Sequence, residues 1–297
     1  MDKVIVVVGP TAVGKTKMSI ELAKKYNGEI INADSMQLYK ELDIGTAKVM
    51  EEEKEGIPHY LFDIKNVDEN YSIYDYQKDC REVIKDIINR GKTPIMVGGT
   101  GLYIKAALYD YNLLESESNN QYDDLSNEEI YNKLVNAFPN IEIDKNNRRR
   151  LVRALNYYED TGKLITDNIT SKLLYDAIFI GLTCDRDILY DRINKRVDIM
   201  IDNGLLDEVK YFHDKNIRTK PLLGGIGYRE LYRYLDGDIS LEDAIEEIKK
   251  DSRHYAKRQY TFFNHQLNVN WFNVNFNDFN ETVKDVINYI DKIWHFS

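Results

Sequence analysis

At 297 residues the chain is long enough for one large domain, or one domain carrying an insertion, and 43% apolar residues suffice for a core. A formal charge of −10 excludes a protein that is basic overall, so any nucleic-acid contact must come from local clusters. Two distant cysteines, Cys80 and Cys184, exclude a disulfide framework and a Cys-x-x-Cys zinc pattern and point to a reducing compartment.

Residues 4–8 (VIVVV) form a β-branched run without alternation, which predicts a strand buried on both faces of a parallel sheet. Lys15–Lys25 predicts a helix with Met18, Leu22 and Ala23 on its inner side. Residues 29–33 predict a second short strand that ends at Asp34. Over residues 74–90, Cys80, Val83, Ile84, Ile87 and Ile88 recur at helical spacing, and Gly91 supplies the stop. Thr93–Val97 is a further buried strand, closed by Gly98 and Gly99. This alternation predicts an α/β fold, a P-loop NTPase-like parallel sheet flanked by helices.

The composition then shifts. Residues 110–129 hold seven acidic side chains and no Lys or Arg. Ser126-x-x-Glu129 is a capping box for a helix to about residue 138, and Pro139 breaks it. A second helix over residues 147–160 carries Leu151, Leu155 and Tyr158 on one face and stops at Gly162. The pair predicts a small all-helical insertion over residues 113–164, dividing the α/β core into 1–112 and 165–297. The strand pattern returns at 176–184. Leu189, Ile193 and Val197 mark one helix, and Leu205, Leu206, Val209 and Phe212 a second. Ser240-x-x-Asp243 caps a helix to about residue 265, residues 269–274 form a last strand, and Val283, Ile287, Ile290 and Ile293 mark the final helix. No apolar run approaches the ~20 residues of a membrane span, and the N-terminus reads as neither signal peptide nor amphipathic leader. No heptad seam or internal repeat is present. A soluble cytoplasmic monomer is expected, with no membrane partner.

Between the first strand and first helix, Gly9, Pro10, Thr11, Ala12, Val13, Gly14, Lys15 and Thr16 spell G-x-x-x-x-G-K-T. The glycines let backbone N–H groups turn inward, and the helix start adds its positive dipole end. Lys15 supplies a full charge, and Thr16 can hold Mg²⁺. The loop specifies a diphosphate, not a reaction. An ATPase or GTPase wants a carboxylate closing a later hydrophobic strand to hold Mg²⁺. Here Thr93–Val97 runs into Gly98-Gly99-Thr100-Gly101 instead. Asp34 could substitute, which keeps a small-molecule kinase using ATP as the alternative. A third reading is an RNA-binding regulator with a vestigial nucleotide site.

Several further motifs occur in order. They are Asn32-Ala33-Asp34-Ser35-Met36-Gln37-Leu38-Tyr39, Asp43-Ile44-Gly45-Thr46-Ala47-Lys48 and Pro58-His59-Tyr60-Leu61-Phe62-Asp63-Ile64. Val97-Gly98-Gly99-Thr100-Gly101-Leu102-Tyr103, Arg150-Leu151-Val152-Arg153-Ala154-Leu155, Gly225-Ile226-Gly227-Tyr228-Arg229-Glu230 and Tyr255-Ala256-Lys257-Arg258-Gln259 follow. In this order and spacing, over nearly the whole chain, they resemble the tRNA dimethylallyltransferases, or tRNA isopentenyltransferases. The zinc finger of eukaryotic relatives has no counterpart, so the resemblance is to the compact bacterial type. The sequence departs from the family in three places. Asp144-Lys145-Asn146-Asn147 stands where His-Pro-Asn-Asp is usual, an arginine expected near residue 123 is missing, and Thr261-Phe262-Phe263-Asn264 replaces a Trp-containing, Arg-ending version.

The resemblance implies transfer of a dimethylallyl group from dimethylallyl diphosphate to N6 of adenosine 37, beside the anticodon of tRNA. The glycine loop would then hold the prenyl diphosphate, and the target base would be extruded to reach it. Asp34 matches the family's catalytic aspartate and is expected to be the general base, because an exocyclic adenine amine is a poor nucleophile until its proton is removed. The alternative for Asp34 is a helix cap. Arg196, by itself a residue of a solvated helix face, matches the family's diphosphate-binding arginine. With Lys15 and Thr16 it would act where charge develops on the leaving group. Thr100, alternatively a helix N-cap, matches a threonine that contacts tRNA near the target base. Asp34, Ser35, Met36 and Gln37 match a segment that touches the anticodon loop. Two basic runs could hold RNA phosphates. Residues 145–163 carry six Lys or Arg, among them Arg148, Arg150 and Arg153, and residues 249–258 carry five, among them Lys257 and Arg258. His59, Cys80 and Cys184 read as structural.

Overall fold

Lys3–Val8 (β1) has its residues from Val4 to Val8 fully buried, as an unalternating β-branched run requires when both faces of a strand are covered. The computed structural model of the chain describes residues 1–111, 113, 122–164 and 169–294. Much of the acidic run 110–129 therefore lies outside the described residues. Among these the chain divides into two compact units, Met1–Leu108 with Leu174–Ser297, and Tyr109–Leu173.

The larger unit is built on a six-stranded sheet. After β1 come Lys15–Lys25 (α1), Gly28–Asn32 (β2), His59–Tyr60 (β3), Ile73–Asn89 (α2), Thr93–Val97 (β4) and Gly101–Leu108 (α3). Ser72 caps α2, accepting the Asp75 N–H, and its N–H is returned to the Asp75 carboxylate. Beyond the second unit follow Asp176–Thr183 (β7), Arg186–Asp202 (α6), Leu205–Asp214 (α7), Lys220–Gly224 (α8), Tyr228–Leu235 (α9), Leu241–Gln266 (α10), Asn270–Asn273 (β8) and Phe279–Trp294 (α11). The strand order is β3-β2-β4-β1-β7-β8, and every neighbouring pair is parallel. The carboxyl ends of β2, β4 and β1 thus lie side by side.

Ile5 and Val7 of β1 join Met18 and Leu22 of α1 and Val286 and Ile290 of α11 in one apolar cluster. Burying each such side chain is worth ~1.5–3 kcal/mol. A second cluster gathers Leu38, Leu42, Phe212, Tyr228 and Ile248 and ties α7, α9 and α10 to the segment after β2.

The smaller unit holds Asn127–Ala137 (α4) and Arg148–Thr161 (α5), which share Ile130, Leu134, Leu151 and Leu155. Among the described residues of 113–164 these two helices are the elements present, as expected, and the unit extends beyond those bounds. Tyr109–Tyr111 (β5) and Ile169–Leu173 (β6) pair antiparallel at its two chain ends. These strands are too short, and too little alternating, for periodicity to reveal them.

Candidate active site

β1 delivers the chain into the glycine loop. Gly14 sits at φ 95° at the start of α1, and a Cβ there would lie 2.8 Å from the Phe279 ring. Only glycine fits both the left-handed backbone and that approach. Ala12 also has positive φ, 68°, which costs an L-residue of order 1 kcal/mol and is held by its surroundings. The first intrahelical bond of α1 runs from Met18 N–H to Gly14 C=O, and no side chain caps the helix. The N–H groups of its first turn are therefore available to an anion.

Three cations close on this loop. Lys15 Nζ donates to Pro10 C=O at 2.7 Å. Arg196 Nη1 donates to Thr11 Oγ1 at 3.1 Å, so α6 presents this half-buried arginine to the loop. Arg192 Nε, one turn earlier, donates to Ala12 C=O at 2.9 Å, and its guanidinium lies 3.7 Å from the Phe276 ring centroid. Burial, and then the Arg196 charge, pull the Lys15 ammonium down to about 8, with Asp34 opposing. Burial and Arg192 lower Arg196 as well. Like charges held this close are relieved by an anion bound among them. Arg192 was invisible in the sequence because one more charge on an amphipathic helix carries no signal. Thr16 is exposed at the head of α1.

Asp34 leaves the end of β2. Asn32 is 1% exposed and holds the turn: its Nδ2 donates to Asp34 C=O at 3.0 Å and Leu61 C=O at 2.9 Å, and its Oδ1 accepts the Asp34 N–H at 2.8 Å. Asp34 Oδ1 accepts the Met36 N–H at 3.0 Å, a local turn in place of a helix cap. Burial pushes the carboxyl above the usual carboxylate range. The Met36 N–H, Lys15 and the Gln37 N–H pull the other way without cancelling it. Thr100, after β4, binds this turn from the side. Its Oγ1 accepts the Ser35 N–H at 3.0 Å, and its own N–H donates to Ala33 C=O at 3.0 Å. The glycine loop, Asp34 and Thr100 thus occupy the carboxyl ends of three adjacent parallel strands, where α/β folds bind ligands.

The segment after Asp34 is braced by motif residues and by Glu208, which no motif contains. Gln37 Nε2 donates to Thr46 C=O at 2.9 Å. Glu208 accepts the N–H groups of Asp43, Ile44 and Gly45 at 3.0, 2.7 and 3.1 Å and the Tyr228 hydroxyl at 2.5 Å. It joins two motifs that lie far apart in sequence. Buried Lys48 bridges Asp43 and Asp63, each at 2.6 Å. His59 Nδ1 contacts Ile57 C=O at 2.8 Å, and Cys80 is buried in α2. Among the described residues no group of three His, Cys, Asp or Glu could hold a metal.

The basic runs separate into structural and exposed charges. On α10, Lys249 pairs with Asp198 and Glu246 at 2.9 and 3.0 Å, and Arg253 donates to Asn194 Oδ1 at 2.5 Å. Lys250, Lys257 and Arg258 remain exposed. On α5 the Arg148 guanidinium donates to Leu125 C=O and Tyr122 C=O, both at 2.7 Å, so it serves the unit's own structure. Arg149, Arg150 and Arg153 are exposed.

A family profile described as IPP transferase matches residues 37–266. The chain belongs to the IPP transferase family. Within that family it is 49% identical to a tRNA dimethylallyltransferase of Anoxybacillus flavithermus, over 99% of this chain and 98% of that one. The solved structure of a tRNA delta(2)-isopentenylpyrophosphate transferase from Staphylococcus epidermidis is 42% identical, with a TM-score of 0.75 over 98% of this chain and 99% of that one. A eukaryotic dimethylallyltransferase, solved in snapshots of its action on tRNA, is 32% identical with a TM-score of 0.88, over 99% of this chain and 80% of that one. No helix among the described residues is long and apolar enough to cross a membrane.

Proposed function

We propose that this chain transfers the dimethylallyl group of dimethylallyl diphosphate to N6 of adenosine 37 in the anticodon stem-loop of tRNA, releasing diphosphate. One observation carries the reading. A half-buried carboxylate with a raised proton affinity, Asp34, faces the charge of Lys15, the cation of the glycine loop. A base and a diphosphate holder therefore share one crevice. The N6 lone pair attacks the allylic carbon, a C–N bond forms, and the C–O bond breaks with its electrons leaving on the diphosphate. The N6 proton passes to Asp34. Lys15, Arg196 and the first-turn N–H groups of α1 take up the charge that develops on the leaving oxygens.

Mg²⁺ at phosphate sites takes one or two protein oxygens together with waters and substrate phosphates. The exposed Thr16 hydroxyl at the head of α1 suits that donor set, and we assign it as the protein ligand. The ion, when bound, neutralises charge on the diphosphate. Ser35, Met36, Gln37 and Thr100 meet the anticodon loop in this reading. Arg150 and Arg153 of the smaller unit and Lys257 and Arg258 of α10 meet RNA phosphates. The enzyme works as a cytoplasmic monomer.

The test is incubation with labelled dimethylallyl diphosphate, Mg²⁺ and a tRNA bearing adenosine 37. Label on N6 of that base is expected. ADP formed from ATP without any need for RNA would point to a kinase instead. RNA binding indifferent to prenyl diphosphate, with no label transferred, would point to a binding protein.

A further inference from the structure

Helix α10 braces the second glycine loop along a single stripe. Tyr255, Gln259, Phe262 and Gln266 recur at helical spacing on one side. The Tyr255 phenol stands by Thr100 and Asp34, Phe262 fills the space over Gly101, and Gln266 Oε1 accepts from Lys105 Nζ at 2.6 Å. One directional bond in this stripe reaches the loop backbone: Gln259 Nε2 donates to Gly99 C=O at 3.1 Å. A Cβ on Gly99 would lie 2.1 Å from that nitrogen and 3.7 Å from Asp34 Oδ2, so the amide and the carboxylate approach the same glycine.

Gln259 is 4% exposed, and its Oε1 has no hydrogen-bond partner among the described residues. A side chain kept only to fill space would be apolar here, because a buried unsatisfied acceptor costs stability and an apolar group of the same shape does not. The amide must therefore be kept for its N–H. That N–H fixes Gly99, the next residue is Thr100, and Thr100 holds the Asp34 turn through Ser35 N–H and Ala33 C=O.

We propose that Gln259 is a positioning residue for the catalytic carboxylate, latching the Gly98–Thr100 loop so that Asp34 is held at the distance proton transfer needs. The inference rests on the prenyl-transfer reading of Asp34. The latch acts through the placement of the carboxylate, so its loss is read in kcat and not in RNA or donor affinity.

The test compares wild type with Gln259→Met, which keeps the length and removes the amide. Misplacing a reacting group by a fraction of an ångström is expected to lower kcat by roughly 10- to 100-fold while KM for the prenyl donor and Kd for tRNA stay within about twofold. Gln259→Met removes the unsatisfied Oε1 and strands the Gly99 C=O, so the two effects oppose and the Tm of the variant should stay within a few degrees of wild type. Gln259→Glu opposes a carboxylate to Gly99 C=O and adds a negative charge near Asp34. It should lower kcat too and move the acid limb of the pH–rate profile upward. Amide hydrogen exchange gives an independent readout: Ser35 and Thr100 should exchange faster in Gln259→Met, and α4 should not change. Wild-type kcat in Gln259→Met, a parallel loss of tRNA affinity, or unchanged exchange at Ser35 and Thr100 would each overturn the proposal. If wild type transfers no label, the prenyl-transfer reading fails by itself, and the exchange rates still decide whether Gln259 is a latch.

Discussion

Asp34 and Lys15 sit in one crevice, and burial moves their proton affinities towards each other. The Asp34 carboxyl lies above its usual range because burial disfavours the charged form. A base of raised affinity suits removal of a proton from an amine, and Asp34→Asn should slow transfer by about 100-fold or more. Binding assays should show tRNA affinity nearly unchanged, and equal loss of both would make Asp34 structural. Below the ordinary carboxylate pKa, Asp34 is protonated in both states and costs nothing. As pH rises through that value the unfolded chain ionises first, so stability is lost up to the folded pKa and stays lost above it. Asp34→Asn should therefore melt no lower than wild type at neutral pH. Lys15 runs in the opposite sense with pH. Its folded pKa is about 8 against an ordinary 10.5, so below pH 8 both states are protonated and the fold carries the cost of a buried charge. That cost is roughly 3 kcal/mol and is relieved as pH climbs from about 8 to 10.5. Lys15→Met should be more stable than wild type at pH 7, with the gap closing above pH 8. In wild type, kcat/KM for the prenyl donor should fall above a pH near 8, and in Lys15→Met that alkaline limb should vanish.

At the scale of elements, helix ends and buried strands were legible wherever a local rule places them. Residue 15 opens α1 after Gly14, Ser126 and Ser240 cap α4 and α10, and Gly162 ends α5, while for α2 only the stop at Gly91 was read and its cap Ser72 was missed. The unalternating valines of β1 gave away a two-sided strand. What stayed hidden is non-local. The strand order, the two-residue β3 and the β5–β6 ribbon depend on partners distant in sequence. The same division holds in the site. The glycine loop and Asp34 could be read from spacing and flanking elements. Glu208, Arg192 and Gln259 could not, because each acts by reaching a backbone carbonyl or N–H from another element. Arg148 shows the converse, a basic residue whose sequence context suggests RNA and whose guanidinium is spent on two carbonyls. Removing it strands those acceptors, at about 1–3 kcal/mol. Arg148→Met should lower the melting point of the smaller unit, read by hydrogen exchange in α4 and α5. Arg150→Gln, at an exposed position, should leave that exchange unchanged.

For the whole molecule, the difficulty is that a chain of net charge −10 must hold a polyanion. Beyond a Debye length of ~8 Å at physiological salt the net charge is screened, so the interaction is decided by the cations that touch phosphate. Those are fewer than the composition suggests, because Lys249, Arg253 and Arg148 are already engaged inside the protein. Among the exposed cations, Arg149, Arg150 and Arg153 lie on α5 and Lys250, Lys257 and Arg258 on α10. Each phosphate contact releases counterions and contributes about −0.7 to −0.9 to the slope of log K against log salt. Arg150→Gln with Arg153→Gln should therefore flatten that slope by about 1.4–1.8, and Lys257→Gln with Arg258→Gln by a similar amount. Affinity measured at several salt concentrations checks both. A pair whose loss leaves the slope unchanged does not touch phosphate, whatever it does to affinity at one salt concentration. The catalytic rate at saturating tRNA should hold in both double variants, since in the proposed function these charges serve RNA binding and not the reaction. This separates them from Arg196, whose loss should lower the rate at saturation if, as proposed, the glycine loop it donates to holds the leaving diphosphate.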